Sequence, residues 1–206
     1  MSSKKSWAML ALACGLLWLS GCATVNEKHP QLMLGEVTAK NADQVASVYF
    51  IRPKPYKTKG VANDPVRIEY QGKLLLKMDE GSYTLLHIKP SKGLVKVFSK
   101  TMFTNDKLPI EVWRARHYKF IPGKTYFIYI HQINEEFRGV FYDPEPVSLR
   151  EAKTLLETTR AAGAARNAPI DKLTEVEAPP ASALEGQEPA LPENIYKQEK
   201  YLHKVQ

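Results

Sequence analysis

The residue with the most definite chemistry in this 206-residue chain is a cysteine near its start. Cys22 follows the small residues Ser20 and Gly21, and these follow an apolar run over residues 7–19 that two lysines precede. A charged start, a short apolar run and small residues before a cleavage point are typical of an export signal. An uncleaved membrane helix needs about 20 apolar residues, and this run is shorter. The pattern therefore predicts a cleaved leader with a thiol available for acylation at the new N-terminus.

The segment Leu19-Ser20-Gly21-Cys22 resembles the lipobox of bacterial lipoproteins at every position. The resemblance implies a signal peptide over residues 1–21 and acyl chains, palmitate among them, on the thiol and the freed amine of Cys22. More than one chain anchors a protein firmly, because each buried CH₂ contributes about 0.8 kcal/mol. In that family an Asp after the cysteine retains the protein at the inner membrane. Ala23 stands here, which implies the periplasmic face of the outer membrane.

The other cysteine, Cys14, leaves with the predicted leader. An oxidising compartment permits disulfides, yet the acylated cysteine has no partner left in the mature chain. The count therefore excludes a disulfide, a cysteine nucleophile and a cysteine-based zinc site from the predicted mature domain.

Groups suited to acid–base, nucleophilic or metal chemistry are scattered rather than clustered. The five histidines include no pair at i,i+2 or i,i+4, Ser82 lacks a nucleophile-elbow pattern, and Asp79-Glu80 is typical of a solvated turn. The sequence predicts no enzyme, no metal and no cofactor. An enzyme remains the third hypothesis, and it requires a pocket that gathers two or more residues from one set: His87, His117, His131, Asp64, Asp79 and Glu111.

Two basic segments that contain aromatic residues, 52–60 and 113–119, are the candidate binding elements. Guanidinium groups pair with phosphate or carboxylate, and aromatic rings pack on sugar faces. In an envelope the ligands are lipid headgroups, lipopolysaccharide phosphates or peptidoglycan carboxylates, and location disfavours nucleic acid. An ordinary solvated surface, with Trp113 in the core between outward arginines, stays open. The candidate residues are Arg52, Lys54, Tyr56, Lys57, Lys59, Arg114, Arg116, Tyr118 and Lys119.

These segments belong to a β-rich region over residues 44–143. Short apolar runs separated by Gly, Pro and Asp turns recur at the spacing expected of a sandwich or barrel. Because no helix-length segment separates them, we predict an all-β fold, an antiparallel β-sandwich of transthyretin-like or Ig-like type. Nine apolar runs indicate about eight strands, and they lie at residues 45–51, 66–70, 74–78, 83–88, 94–98, 110–113, 118–121, 125–133 and 138–142.

The flanks read differently. Residues 22–43 are polar and predict a tether between the lipid and the domain. Ser148 and Glu151 form a capping-box signature before an apolar stripe, which predicts one C-terminal helix over residues 147–165. Residues 166–206 are rich in Pro, Ala and Glu and predict a mostly disordered tail. Residues 40–138 carry 18 basic and 9 acidic side chains, whereas residues 141–206 carry 8 and 11, so the domain is basic and its tail acidic.

Several strand and turn motifs resemble an uncharacterised bacterial lipoprotein domain, domain-of-unknown-function 2846. They are residues 48–53 (VYFIRP), 68–73 (IEYQGK), 81–84 (GSYT), 90–93 (PSKG) and 122–127 (PGKTYF), in the order of that family. The resemblance covers residues 45–133 and implies a transthyretin-like or surface-layer-like sandwich with no known activity. Two functions follow as expectations: a membrane-anchored interaction or scaffold module with an envelope protein partner, or direct binding of an anionic glycan or lipid headgroup.

Overall fold

A computed structural model describes residues 42–54, 64–102, 108–135 and 139–174. The described chain forms nine strands and one α-helix, joined by 3-10 turns. In chain order they are β1 (Ala46–Arg52), β2 (Val66–Tyr70), β3 (Lys73–Met78), β4 (Ser82–Ile88), β5 (Ser91–Thr101), β6 (Ile110–Phe120), β7 (Thr125–Glu135), β8 (Gly139–Val147), α1 (Leu149–Thr154) and β9 (Arg160–Gly163).

The strands form two sheets, and the predicted all-β sandwich is confirmed. One sheet has five strands in the order β8-β7-β1-β4-β9, and the other has four in the order β3-β2-β5-β6. The four-stranded sheet is antiparallel throughout, whereas β1–β7 and β4–β9 are parallel pairs. The sandwich is therefore mostly antiparallel, and the two parallel pairs lie in the five-stranded sheet. No crossover helix is needed, because β2 to β6 carry the chain from β1 back to the starting end of β7.

Two apolar cores explain why β1 reads as a nearly continuous apolar run. Val48 and Phe50 point between the two sheets, while Tyr49 and Ile51 point to the opposite face of the five-stranded sheet. That second face is covered by α1 and the segment after it, including the fully buried Ile170. A strand covered on both faces has no position for an exposed polar residue in its middle.

The hairpin between β2 and β3 confirms the predicted turn. Gln71 and Gly72 form a two-residue loop, and both have positive φ, 51° and 74°. Positive φ at both central residues is the type I′ geometry, which matches the twist of paired strands. The hairpin therefore closes with Tyr70 opposite Lys73, and the register then shifts by one residue between Glu69 and Ile68.

Edge strand β8 contains two prolines without losing its pairing to β7. Pro144 and Pro146 lie opposite Ile130 and Ile128. Backbone groups of alternate residues point to the same side of a strand, so both prolines lack a donor on the unpaired side. Such an edge offers fewer groups to another strand, which protects the sheet from edge-to-edge association.

The two short runs expected at 110–113 and 118–121 are one continuous strand, β6. The polar residues between them hid this continuity. Arg116 lies on the inward side of β6, where it forms an ion pair with Asp143 of β8. The guanidinium nitrogen and the carboxylate oxygen are 2.5 Å apart. A paired cation can occupy an inward position that an apolar pattern does not predict.

The expected helix over residues 147–165 is much shorter. The α-helix ends at Thr154 and a 3-10 turn follows (Leu155–Thr158). The chain then joins the edge of β4 as β9, starting with the bond from Arg160 N to Gly81 O at 3.0 Å. The β-branched Thr158 and Thr159 lower helix propensity at this point. Hydrogen bonds from an unpaired strand edge then outweigh continuation of the helix.

The boundary expected at residue 166 is also corrected, since Ile170 is fully buried in the second core. Residues 1–21, the tether up to residue 41, and the chain from residue 175 lie outside the described residues, and so does Cys22. Within the part that the structure describes, no helix has the length and apolar character to cross a bilayer.

Candidate binding surface

The outward face of the four-stranded sheet combines aromatic and basic side chains from three strands. The Arg67 guanidinium of β2 lies 4.2 Å from the ring centre of Phe98, and that ring lies 6.4 Å from Trp113 of β6. The Lys96 ammonium lies 4.5 Å from the centre of the Trp113 ring. Phe98 and Trp113 are direct cross-strand partners. We call the outward side chains of β2, β3, β5 and β6 the basic-aromatic face.

Cations outnumber carboxylates on this face. The outward basic residues described are Arg67, Lys77, Lys92, Lys96, Lys100 and Lys119, and the outward carboxylates are Glu69 and Glu111. Arg67 is neutralised within the face, because its nitrogens lie 3.2 Å from Glu69 and 3.1 Å from Glu111. Lys77, Lys92 and Lys119 are exposed. The face therefore presents net positive charge around two half-buried aromatic rings.

One pair of like charges on the face is placed at close range by the sheet itself. Lys92 of β5 lies directly opposite Lys119 of β6. Like charges in directly opposed cross-strand positions destabilise a sheet. An anion placed between the two ammonium groups would relieve this repulsion.

The structure corrects the sequence prediction for Arg52. This residue ends β1 and is only 1% exposed, so its guanidinium is part of the interior rather than of a basic loop. It donates to the carbonyls of Met78 at 2.7 Å and Asp64 at 3.0 Å, and it stacks over the ring of Tyr142. Its role is to link the end of β3 and the segment before β2 to β1 and β8.

The second predicted cluster, residues 113–119, divides between two faces because a strand alternates. Tyr118 points inward, is 1% exposed and donates to the Pro144 carbonyl at 2.6 Å. Burial raises the pKa of its phenol well above the ordinary value. Arg116 pairs with Asp143, and Arg114 lies over the Phe141 ring at 4.9 Å. The prediction of a surface contact is wrong for Tyr118, and both arginines contact β8.

Lys119 is the candidate that remains on the basic-aromatic face. Lys54 is also exposed, but it follows β1 at the opposite end of the sheets, beside Gly81. Tyr56, Lys57 and Lys59 lie outside the described residues. Trp113 is half-buried on the outward face, not in the core that the alternative interpretation gave it.

Sequence reasoning missed Arg67, Lys96 and Phe98 as members of a site. The alternation of residues 66–70 already placed Arg67 and Glu69 on the polar side of their strand. No local pattern could indicate that β2 lies beside β5, because β3 and β4 separate these two strands in the chain. The missing information was strand order.

The three histidines that the structure describes do not converge on one site. His117 is exposed on the basic-aromatic face, whereas His87 and His131 belong to the five-stranded sheet. His87 lies 3.3 Å from the Ser47 hydroxyl, and burial lowers its pKa. His131 stacks on Tyr129 and lies 3.0 Å from Glu145. Across the described ranges, no group of three or more His, Cys, Asp or Glu is arranged to hold a metal ion.

These observations define the class of protein as a two-sheet β-sandwich with one basic-aromatic sheet face. Comparison of the chain with protein-family models, curated proteins and solved structures finds no match. The resemblance of residues 45–133 to domain-of-unknown-function 2846 stays a prediction.

Proposed function

We propose that this protein is a non-catalytic lipoprotein of the bacterial envelope, anchored by acyl chains on Cys22 at the periplasmic face of the outer membrane. Its β-sandwich acts as an interaction or scaffold module and binds an acidic protein partner through the basic-aromatic face. The observation that carries the proposal is the row formed by Arg67, Phe98, Trp113 and Lys96 across three strands.

The aromatic part of the face supplies the apolar contact that a stable interface needs. Trp, Tyr and Arg dominate the binding energy of protein interfaces, and they act where water is excluded around them. Phe98 and Trp113 are half-buried and held by cations on neighbouring positions, so little side-chain freedom remains to be lost on binding. A partner that covers both rings would bury the centre of the face and leave the lysines at its rim.

The charged part of the face favours an acidic partner. Rim charges increase the rate of association and select partners of opposite sign, and they add less to affinity than the buried centre. Lys77, Lys92 and Lys119 are exposed around the rings. Association is therefore expected to be sensitive to salt in its rate, while loss of an aromatic ring accelerates dissociation.

Photo-cross-linking in living cells tests this proposal. A photoreactive amino acid at His117, which is exposed on the basic-aromatic face, should capture a reproducible protein partner. The same group at Lys172, beyond the second core, should not. Trp113→Ala should weaken capture about tenfold or more, as expected for an interface anchor. If both positions yield only the background of an unrelated acylated protein, the module has no partner on this face.

A second candidate function is direct binding of an anionic glycan, and the Lys92–Lys119 pair is the observation that favours it. Purified peptidoglycan sacculi and lipopolysaccharide are the probes. Sedimentation of the protein with either polymer should weaken as salt rises and in a Lys92→Gln/Lys119→Gln variant. Lys54→Gln/Lys172→Gln removes the same charge from exposed positions outside this face and serves as the matched control. Sedimentation that survives high salt unchanged argues against this function.

A further inference from the structure

The end of the sandwich at which β1 begins is also where the chain enters from its N-terminal side. The turn between β6 and β7 is bound to that entry point: Gly123 N donates to Val45 O at 2.8 Å, and Ser47 N donates to Lys124 O at 2.9 Å. β4 ends here as well, because Ile88 lies opposite Ala46. An anchor attached before residue 42 is therefore connected to this end of the domain.

Exposed lysines collect at the same end. Lys89 follows β4 and Lys124 precedes β7. Lys92 is the second residue of β5 and lies opposite Lys119 of β6. All four side chains are exposed. We call Lys89, Lys92, Lys119 and Lys124 the basic pole.

Acidic groups near the basic pole include Asp43, beside Gly123, and Glu151 at the start of α1. The Glu151 carboxylate accepts the Ser148 backbone N–H at 2.8 Å, so it is committed to the helix cap. The four lysines therefore leave this end positively charged.

The far end of the sheets is different. It carries the acidic turn between β3 and β4 and further carboxylates beside β2 and β6, which are Asp79, Glu80, Asp64 and Glu111. Lys100 there lies 3.2 Å from Asp64, and Arg67 pairs with Glu111. Exposed Lys54 also lies at this end, beside Gly81. The four carboxylates offset these cations, so the excess of positive charge lies at the end where the chain enters.

We infer that the basic pole docks on anionic lipid headgroups of the same bilayer that holds Cys22. This inference rests on the proposed anchor, which keeps the pole within a tether length of the headgroups. Lysines near an anionic membrane surface are attracted to it, and a lipid anchor combined with a basic patch is the usual two-signal arrangement for stable attachment. Docking would hold the strands upright on the membrane and leave the basic-aromatic face accessible from the side.

The test uses the acylated full-length protein reconstituted through its anchor into two kinds of vesicle. One contains phosphatidylcholine alone, and the other also contains phosphatidylglycerol. Hydrogen exchange is followed at residues 89–92 and 119–124, with the turn at residues 79–82 as the distant reference. A pole docked for two-thirds of the time exchanges about threefold more slowly. We expect this slowing only in the anionic vesicles, and we expect high salt to remove it.

Two charge variants complete the design. Replacing the four pole lysines with Gln should abolish the slowing. Replacing Lys54, Lys153, Arg160 and Lys172 with Gln removes the same charge outside both the pole and the basic-aromatic face, and should preserve the slowing. The inference is overturned if phosphatidylglycerol does not change exchange at the pole, or if both variants lose the slowing equally.

The mass of the intact protein in the same sample reports acylation of Cys22 separately. An unmodified Cys22 removes the proposed anchor. A modified Cys22 with no slowing at the pole removes only the docking inference.

Discussion

The guanidinium of Arg116 lies 2.5 Å from the carboxylate of Asp143, and this pair joins the edge strand of one sheet to the edge strand of the other. Both side chains are largely buried, at 17% and 12% exposure, and Glu145 lies 4.0 Å from the same guanidinium. Nearby, Tyr118 donates to Pro144, so β6 and β8 are linked by both a charge pair and a neutral hydrogen bond.

Removing one member of this pair should destabilise the protein strongly. Asp143→Ala leaves the Arg116 charge in a poorly hydrated position, and we expect the free energy of unfolding to fall by about 3 kcal/mol. Urea denaturation measures it. The double variant Arg116→Met/Asp143→Leu removes both charges and should recover most of the loss. A double variant as unstable as Asp143→Ala would show that the charge pair does not account for the effect.

Arg52 should behave as a structural residue. Arg52→Met leaves the buried carbonyl of Met78 without its donor, and we expect a loss of about 3 kcal/mol in the free energy of unfolding. Arg52→Lys should also destabilise, because an ammonium cannot reproduce the planar fork that contacts Met78 and Asp64. Lys54→Gln, two residues on and exposed, should change stability by no more than about 0.5 kcal/mol. Equal effects of Arg52→Met and Lys54→Gln would contradict the interior role.

His87 should make stability depend on pH. Burial lowers its pKa in the folded protein below the ordinary 6.5. At a pH between this lowered pKa and 6.5, the unfolded chain binds more protons than the folded protein. Stability therefore rises with pH in this range and is lost on acidification below about pH 6.5. Urea midpoints measured across this range should therefore fall as the pH falls. His87→Gln should flatten the dependence, whereas His117→Gln, at an exposed position, should leave it as it is.

The capping box of α1 should contribute a measurable part of C-terminal stability. Glu151 N donates to the Ser148 hydroxyl at 3.2 Å, and Ser148 N donates to the Glu151 carboxylate at 2.8 Å. We expect Ser148→Ala to cost about 1 kcal/mol in the free energy of unfolding. Faster hydrogen exchange in α1 of the variant would show that the loss of stability is located in this helix.

The Glu151 half of the cap adds a pH signature. The hydrogen bonds from Ser148 lower the pKa of Glu151 below its ordinary 4.5. The contribution of ionised Glu151 to the free energy of unfolding is present above pH 4.5, and it is lost as the pH falls through the lowered pKa of the folded protein. Glu151→Gln should therefore differ from the parent protein at neutral pH and converge with it in acid. Glu157→Gln, exposed in the following turn, is the control.

Local pattern was sufficient for much of the fold. The alternation in residues 66–70, the apolar run of β1 and the Gln71-Gly72 turn each predicted the element that forms, since side-chain periodicity and turn chemistry act over a few residues. The capping box likewise marked the correct start of α1. The end of the helix could not be predicted, because it depends on an open edge of β4 some 70 residues earlier in the chain.

The candidate site follows the same division. Periodicity could show that the polar residues near Trp113 alternate, but not which side faces the other sheet. Arg114 and Arg116 point inward, where Arg114 packs over the Phe141 ring and Arg116 forms an ion pair with Asp143. Lys119 points outward beside Lys92. The prediction that these residues form one surface was wrong for that reason.

By itself, the sequence determined most of the strand-forming segments, the tight turns, the helix start and the basic balance of the domain, because each depends on neighbours in the chain. Tertiary structure alone decided that Arg52 is interior, that Arg67, Phe98 and Trp113 share a face, and that four lysines meet where the chain enters. These relationships depend on which distant strands pair and in what register, and backbone hydrogen bonding between strands leaves little trace in the identity of any one residue.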